Sequence, residues 1–231
     1  MKAEKKQYPF EQKPCGDSAV GVYFSRQVDP EVNHLVHINH RHLASIAPKG
    51  IIEFVPTYSS LLVHYDPVII GVEQVQSWLD VKVKTHIDVQ ADERIIVRIP
   101  TIYGGKYGPD LDYVAECHGL SPDEVVKIHT SAVYPVYMMG FTPGYPYLGG
   151  LNPAIATPRL KNPRTLVPAG SVGIANTQTG IYSVDSPGGW QIIGWTPVRL
   201  FDPQSEQPFL LSPGCSVVFF QVSEKEVGRE F

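Results

Sequence analysis

Two arginines in a proline-rich segment are the best candidates for anion binding in this chain. Arg159 and Arg164 lie in the stretch TPRLKNPRT, where the prolines lower the entropy cost of holding both side chains in place. A guanidinium binds a carboxylate or a carbamate-like anion through two parallel hydrogen bonds. Gln178 follows nearby, and a glutamine side chain both donates to and accepts from an amide. The residue types therefore predict a site for a small ligand that carries an anion and an amide.

Aromatic and polar residues surround these arginines in the sequence. Small-molecule sites in β-barrels are lined by aromatic side chains with a few convergent polar groups. The alternative is that the arginines bind backbone carbonyls and the aromatic residues fill the core. The set consists of His129, Tyr137, Phe141, Tyr145, Tyr147, Arg159, Arg164, Gln178, Thr179, Tyr182 and Trp190.

Two serines flanked by glycine are candidate nucleophiles. Ser171 and Ser186 lie in PAGSVG and DSPGGW, but no G-x-S-x-G elbow is present and neither serine has a base beside it in sequence. We therefore interpret both as turn or strand residues. In DSPGGWQIIGWTP we predict a hairpin, with Trp190 lining the barrel and Trp195 on the side where a partner would bind.

Three further motifs have simpler interpretations. His34 and His37 are spaced for a shared metal on a helix, but no carboxylate or cysteine joins them, so we predict a solvated helix face and no metal site. The stretch GGKYG, residues 104–108, lacks the spacing of a phosphate-binding P-loop and is predicted to be a turn. The helix pair around Pro122–His129 resembles a helix-turn-helix, but Lys127 is its one cation, so it is not expected to bind DNA.

Composition excludes several classes of protein. The net charge of −4 provides no general attraction for nucleic acid or an anionic membrane. No apolar run approaches the roughly 20 residues of a membrane-spanning helix, and no signal peptide is visible. The three cysteines, Cys15, Cys117 and Cys215, form no metal or redox motif. These features predict a reduced cytoplasmic protein with no membrane association.

The chain is predicted to contain an α+β domain at residues 1–90. Its pattern is strand, helix, strand, strand, helix, with Asp29 and Pro30 starting the first helix. Asp66 and Pro67 are predicted to start the second, which continues to about Leu79. This order is typical of a small split-βαβ sheet with both helices on one face. We place the domain boundary in the polar segment Asp88–Glu93.

Residues 91–231 are predicted to form a β-barrel domain. A first strand, RIIVRIPTIYGG, precedes two short helices, of which the first ends at Gly119 and the second starts with a capping box at Ser121 and Glu124. Short strands separated by turn residues then predict a closed or nearly closed barrel. These strands are YPVYMMGF, TLVPAGSVGIA, GIYSV, WQIIGW, VRLF and CSVVFFQV.

Six stretches, spread over nearly the whole chain, resemble those of the 5-oxoprolinase B subunits, also called allophanate hydrolase subunit 1, the family that includes KipI. The resemblance implies a small α+β domain followed by a cyclophilin-like barrel. It also implies two partners, a C subunit and a lactam-utilising A subunit, and the three together perform ATP-dependent opening of 5-oxoproline to glutamate. The stretches are GDSAVGVYF, IIEFVPTYSSLLVHYDP, IPTIYGGKYGPDLDYVAECHGLSPDEVVKIHT, VYMMGFTPGYPYLGGL, TPRLKNPRTLVPAGSVGIANTQTGIYSVDSPGGWQIIGWTP and LSPGCSVVFF.

The resemblance gives the candidate residues specific roles. Arg159 and Arg164 are expected to bind the carboxylate of the ligand, Gln178 and Thr179 to orient its amide, and His129 to carry a proton. Because the chain shows no amidase constellation, a subunit that acts only within a complex fits better than a complete enzyme. No cofactor is expected on this chain, and ATP is expected to bind another subunit. The remaining substrate-contacting residues are expected to be Phe141, Tyr182 and Trp190.

Two other functions remain open. The KipI branch of the family implies inhibition of a histidine kinase, with the barrel groove accepting a proline-containing segment. The barrel could also serve only as a scaffold for its partner. Three positions depart from the family pattern: Trp195 where arginine is usual, Cys215 and Ser216 where Asp-Arg is usual, and Asn176 where a small residue is usual.

Overall fold

The structure, a computed structural model, describes residues 7–86 and 95–230. Its internal contacts divide the chain into two compact units, Met1–Glu93 and Arg94–Phe231. The segment predicted to join them, Asp88–Glu93, lies outside the described residues, so the domain limits 1–90 and 91–231 stay a prediction. Among the described residues, no helix is long and apolar enough to cross a membrane.

The first unit contains a four-stranded sheet of split-βαβ type, as the sequence predicts. Its strands are β1 (Glu11–Pro14), β2 (Ala19–Tyr23), β3 (Ile51–Pro56) and β4 (Ser60–Tyr65), in the order β1-β2-β4-β3. Both β2 and β3 run antiparallel to β4, so they are parallel to each other with β4 between them. Helix α1 (Pro30–Ser45) joins them. Strand β1 was not predicted, because its short exposed sequence shows no apolar alternation.

The two helices of this unit begin in different ways. Asp29 caps α1 as predicted, because its carboxylate accepts hydrogen bonds from the backbone N–H groups of Glu31 and Val32. The predicted start of the second helix at Asp66 is wrong: α2 spans Val72–Lys82. The Asp66 carbonyl accepts from the N–H groups of residues 69 and 70, so the Asp-Pro signal makes one turn there, and the helix starts after Gly71.

The histidines His34 and His37 of α1 are more buried than the sequence predicts. His37 is 4% exposed and His34 is half-buried, which corrects the solvated face predicted for this pair. Asn39 is fully buried as well. The Asn39 side chain donates to the carbonyls of Leu35 and Lys84 and accepts from the Lys84 N–H. Asn39 therefore joins the helix to the backbone of an adjoining segment. No group of three potential metal ligands occurs in the part of the chain that the structure describes.

The second unit is a closed barrel of seven strands, in the order β10-β7-β6-β13-β5-β12-β9. This confirms the predicted closure. A separate two-stranded sheet, β8 with β11, lies outside the barrel ladder. The strands are β5 (Ile96–Tyr103), β6 (Tyr134–Met139), β7 (Pro146–Leu148), β8 (Arg164–Val167), β9 (Ser171–Ala175), β10 (Gln178–Ile181), β11 (Ser186–Gly188), β12 (Gln191–Trp195) and β13 (Ser216–Gln221).

Three strand predictions need correction. The stretch DSPGGWQIIGWTP forms no hairpin, because β11 pairs with β8 while β12 pairs with β5 and β9. The run TLVPAGSVGIA forms two strands, because Pro168 interrupts the ladder and Gly170 takes a φ of 84° between β8 and β9. The run VRLF forms no strand and makes only an isolated bridge from Phe201 to Phe209. Short apolar runs do not show by themselves whether a ladder partner is available.

Helices α3 (Leu111–His118) and α4 (Pro122–Thr130) pack on the barrel core. Gly119 ends α3 with a φ of 64°, as predicted, because glycine takes the left-handed conformation without a Cβ clash. Ser121 and Glu124 form the predicted capping box of α4. The helix pair is thus part of the fold of the barrel unit, and the absence of DNA binding stays a prediction.

Candidate functional site

His129 lies in the interior of the barrel and is fully buried. Its Nδ1 is 2.8 Å from the Tyr103 hydroxyl, and its Nε2 is 3.0 Å from Thr179 Oγ1. Phe219 packs against the imidazole with ring centroids 4.6 Å apart, and the Tyr134 hydroxyl donates to the His129 carbonyl. Both ring nitrogens are therefore occupied by protein groups.

The hydrogen bonds around His129 run in one direction. Thr179 Oγ1 donates to the Gly173 carbonyl at 3.0 Å, so it accepts from the imidazole, which assigns the proton to Nε2. Nδ1 then accepts from Tyr103. Burial lowers the pKa of His129 to about 3, because the charged form is deprived of solvent. The proton-carrier role of His129 stays a prediction, and these surroundings speak against it.

A second aromatic cluster lies on the outer face of the same barrel wall. Tyr145, Tyr182 and Trp190 are at most 5% exposed, and Tyr147 is half-buried. Tyr145 is central: its ring centroid lies 5.1 to 5.8 Å from those of the other three. Neighbouring residues along the strands, such as Leu148, belong to the interior core instead. Trp190 therefore lies outside the barrel, which corrects the prediction that it lines the interior.

Two glycines make room for this outer cluster. A Cβ at Gly180 would lie 2.8 Å from the Tyr145 hydroxyl, and a Cβ at Gly188 would overlap the Tyr182 hydroxyl. Gly188 belongs to β11, whose partner strand β8 contributes Val167 to the same cluster. The small outer sheet thus packs on the tyrosine rings, and any larger residue at these glycines would separate the layers.

Arg159 carries an uncompensated charge at the edge of the outer cluster. Its side chain is exposed, and its guanidinium carbon lies 5.8 Å from the centroid of the Trp190 ring. No carboxylate among the described residues pairs with it. Burial raises the pKa of both Tyr147 and Tyr182, and the Arg159 charge acts against that rise. The Arg159 cation and the half-buried Tyr147 therefore share this edge, whereas Tyr182 is covered; an exposed guanidinium beside a phenol suits a small anion.

Arg164 has a different position from the one predicted. Its Nη2 lies 2.6 and 2.9 Å from the two carboxylate oxygens of Asp110, and its Nη1 donates to the Trp190 carbonyl. Asp110 also accepts from the Ile192 N–H at 2.6 Å. The guanidinium of Arg164 is thus engaged in holding β12 and β8 together. Its partner Asp110 was missed, because 54 residues separate the two and no local pattern connects them.

The remaining predicted ligand residues divide between the two faces. Thr179 is fully buried and points into the barrel, toward His129. Gln178 is half-buried and, by strand alternation, shares the outer face with Gly180. Phe141 is 60% exposed and meets the Tyr145 ring edge-to-face at 5.5 Å. The structure therefore brings Arg159, Tyr182, Trp190 and Phe141 to one cluster and leaves Thr179 and His129 outside it.

The two candidate nucleophiles, Ser171 and Ser186, and the unusual Trp195 all lie in ordered parts of the barrel unit. Ser186 is 6% exposed, and its hydroxyl has no hydrogen-bond partner among the described residues. Ser171 lies in β9, as the strand interpretation expects. Trp195 stacks on Tyr107 with ring centroids 5.4 Å apart, and its Nε1 donates to the Ala169 carbonyl. The predicted partner contact at Trp195 stays a prediction.

Two further positions that are expected to depart from the family pattern, Asn176 and Cys215, have defined local surroundings. Asn176 lies between β9 and β10 with a φ of 51°, a left-handed conformation that asparagine tolerates better than most residues. Cys215 is 5% exposed, and burial raises the pKa of its thiol. It is therefore an inert core residue rather than a reactive one.

Comparison with known proteins identifies relatives over most of the chain. Residues 10–211 match the family described as "Carboxyltransferase domain, subdomain C and D". A Bacillus subtilis protein, named as the B subunit of 5-oxoprolinase, is 43% identical over 229 residues, which cover 95% of each chain. A Haemophilus influenzae protein of the same name is 46% identical over 70% of this chain and 72% of its own length.

Solved structures show the same fold. TTHA0988 superposes with a TM-score of 0.79 at 36% identity, covering 89% of this chain. This chain spans only 40% of the length of TTHA0988. PH0987 from Pyrococcus horikoshii is 45% identical with a TM-score of 0.57, covering 94% of this chain and 100% of its own.

Proposed function

The chain belongs to the family of the carboxyltransferase domain, subdomains C and D, and on this premise we propose that it is the B subunit of a heteromeric, ATP-dependent 5-oxoprolinase. In this proposal it acts in the cytoplasm with a C-subunit homologue and a lactam-utilising A subunit. Together they convert 5-oxoproline to glutamate. The support is the high identity to a protein that carries the 5-oxoprolinase B-subunit name, over nearly its whole length.

The observation that carries the proposal is the uncompensated cation of Arg159 over the Trp190 ring. 5-Oxoproline is a five-membered lactam with one carboxylate, so it presents one negative charge and one amide. Arg159 supplies a single positive charge for the carboxylate, because the charge of Arg164 is neutralised by Asp110. The half-buried ring of Tyr147, which packs against the buried Trp190, offers an apolar surface for the lactam ring. Gln178, on the same outer face, is the residue proposed to orient the amide.

The chain contributes binding and orientation rather than bond cleavage. Opening an amide ring needs an activated nucleophile or an activated carbonyl, and no base among the described residues lies within hydrogen-bonding distance of Ser186. Arg164 acts indirectly, because its hydrogen bond to the Trp190 carbonyl holds the strand that presents the indole ring. His129 and Thr179 support the wall from inside.

ATP is proposed to bind another member of the complex. The lysine-containing turn at residues 104–108 is packed against the barrel, because the Gly104 N–H donates to the Ile193 carbonyl and a Cβ at Gly108 would overlap that carbonyl. A loop held this closely by its own strand has little room to wrap a phosphate chain. This packing supports a structural role for the turn.

Reconstitution of the complex tests the proposal. The three subunits are purified separately and mixed with 5-oxoproline, ATP and Mg²⁺, and glutamate release is measured. We expect release to fall to background when this chain is omitted. An unchanged rate without it would refute the subunit role. Inhibition of histidine kinase autophosphorylation by this chain in micromolar excess would instead favour the regulatory alternative.

A further inference from the structure

The guanidinium of Arg159 is exposed, but the backbone that carries it is fixed on both sides. The Pro158 carbonyl accepts a hydrogen bond from the side-chain amide of Gln191 at 2.9 Å. The Leu160 N–H donates to the Gly189 carbonyl at 2.7 Å. Both bonds join the arginine segment to the same short stretch of chain, so a shift of its backbone along the surface breaks at least one of them.

These two bonds place Arg159 over the Trp190 ring. Gly189 and Gln191 are the sequence neighbours of Trp190, so the residues on either side of the cation are bonded to the residues on either side of the indole. The guanidinium carbon lies 5.8 Å from the centroid of that ring. Residues 156–163 contain no helix or strand, and fixing such a segment costs conformational entropy. Because the fold already fixes it, a ligand does not have to order it on binding.

Gln191 provides the one of these two contacts that depends on a side chain. The bond between Leu160 and Gly189 joins two backbone groups. Gln191 is 2% exposed, and its Oε1 has no hydrogen-bond partner among the described residues. A buried amide with one unpaired end destabilises a core relative to an apolar side chain of similar volume. Packing alone would therefore favour methionine at this position, and the presence of glutamine indicates a role for its contact with Pro158.

We propose that Gln191 is a positioning residue for anion binding. Its amide holds the Pro158 carbonyl, which keeps the neighbouring Arg159 guanidinium over the Trp190 ring. This inference rests on the proposed function, because it assigns to Gln191 a share in binding the carboxylate of 5-oxoproline. Gln191 does not touch the ligand, since its side chain is buried. It acts through Arg159, on ligand affinity rather than on ring opening.

Gln191 and Arg164 hold the two halves of this contact separately. Arg164 Nη1 donates to the Trp190 carbonyl at 3.3 Å and holds the strand that presents the indole. Gln191 holds the segment that presents the cation. Arg164 is also paired with Asp110, so replacing it disturbs an ion pair as well. A substitution at Gln191 releases the cation segment and leaves that ion pair in place.

Steady-state kinetics of the reconstituted complex with 5-oxoproline tests this role. Gln191→Met keeps the volume of the side chain and removes the hydrogen bond to Pro158, so the arginine segment is released on one side. We expect KM for 5-oxoproline to rise about fivefold, the contribution of one neutral hydrogen bond, while kcat stays the same. Gln27→Met is the matched control, because Gln27 is an exposed residue of the first unit, and KM should then change less than about twofold.

A double-mutant cycle separates positioning from a general loss of stability. Arg159→Ala alone should raise KM about 30-fold. In the Arg159→Ala background, Gln191→Met should change KM less than about twofold, because the group that it positions is gone. Effects that multiply instead would show that Gln191 acts independently of the arginine and would overturn the assignment. The melting temperature of the Gln191→Met chain should change by no more than about 4 °C, since one hydrogen bond and one unpaired oxygen are removed together.

The outcomes separate this inference from the proposed function. If Arg159→Ala raises KM and Gln191→Met does not, the positioning role is wrong and the ligand site survives. If glutamate release does not require this chain, the proposed function is wrong and the inference fails with it. Gln191→Asn, a second variant, keeps a buried amide that is one methylene too short to reach Pro158, so it should raise KM as well. An unchanged KM in this variant, or failure of both variants to fold, would make Gln191 a core residue only and overturn the positioning role.

Discussion

The two faces of the barrel wall use the same residue types for different purposes. Inside, His129 is surrounded by Tyr103, Tyr134 and Phe219; outside, Arg159 adjoins Trp190 and a group of tyrosines. Every polar atom of the interior imidazole has a protein partner. The guanidinium of Arg159 has an aromatic face and no carboxylate among the residues described.

The difference shows that completeness of hydrogen bonding distinguishes a core cluster from a candidate site. A basic group with saturated hydrogen bonds and no solvent is held neutral and contributes to stability. A basic group with a free edge keeps its charge and is available to a ligand. Composition alone does not separate them, because both clusters combine aromatic rings with basic side chains.

The largest change in the free energy of unfolding is expected for a substitution at His129, in the interior of the barrel. His129→Ala leaves a cavity and removes the partners of Tyr103 and Thr179, so we expect the free energy of unfolding to fall by about 4 kcal/mol. His129→Gln should cost roughly half as much, since it can keep one hydrogen bond. Urea unfolding followed by the indole NMR signals of Trp190 and Trp195 measures the loss in this unit. Unchanged stability with lost activity of the complex would revive His129 as a proton carrier.

Acid should weaken the interior through the same residue. The pKa of His129 is about 3 in the folded state, below the ordinary value of 6.5, so the unfolded chain binds a proton that the folded chain does not. Stability should therefore fall by about 1.4 kcal/mol for each pH unit below 6.5, until pH approaches 3. The measurement is urea unfolding from about pH 7 to about pH 4.5, which covers roughly the first two pH units of the expected fall. His129→Gln lacks this contribution, and an equal slope in both proteins would contradict the neutral interior imidazole.

The smallest change in the free energy of unfolding is expected for a substitution at Arg159, on the outer face of the barrel. Arg159→Ala should leave the unfolding free energy within about 0.5 kcal/mol, because the side chain is exposed. Binding of 5-oxoproline by the reconstituted complex should weaken by about 30-fold, the usual contribution of a charged hydrogen bond. Lys161→Ala in the same segment is the control for loss of a nearby cation. If Arg159→Ala changes neither KM nor kcat, the outer cluster is a scaffold and the comparison between the faces loses its functional meaning.

Local signals in the sequence predicted the local structure well. The caps at Asp29 and Ser121 and the left-handed Gly119 depend on neighbouring residues only, and all three are confirmed. The Asp66-Pro67 signal was overestimated, because the same pair also starts a single turn. The spacing of strands and turns predicted a closed barrel, without giving the number of strands. The order of the seven strands depends on contacts between distant residues, which no local pattern encodes.

The sequence indicated which residues would lie together better than it indicated how they are arranged, and their roles in binding stay a prediction. Arg159, Tyr182 and Trp190 do meet on one cluster. Because side chains alternate along a strand, Thr179 points into the barrel, toward His129. Arg164 forms an ion pair with the distant Asp110, which neutralises its charge. A one-residue change in register would reverse which of Gln178 and Thr179 faces the ligand side, and the register is set by pairing with β7 and β9.

The parallel pairing of β5 with β13 also affects how the barrel unit folds during synthesis. Residues 96–101 pair with residues 216–221, so the first strand of the barrel can complete its pairing only after the last strand has been synthesised. During synthesis the wall formed by the intervening strands emerges from the ribosome with an open edge, and closure follows only after Gln221 is released. Such a high sequence separation between paired strands slows folding. A nascent barrel of this kind exposes unpaired strand edges for longer than a meander would, and its early encounter with a chaperone or an assembly partner would protect them.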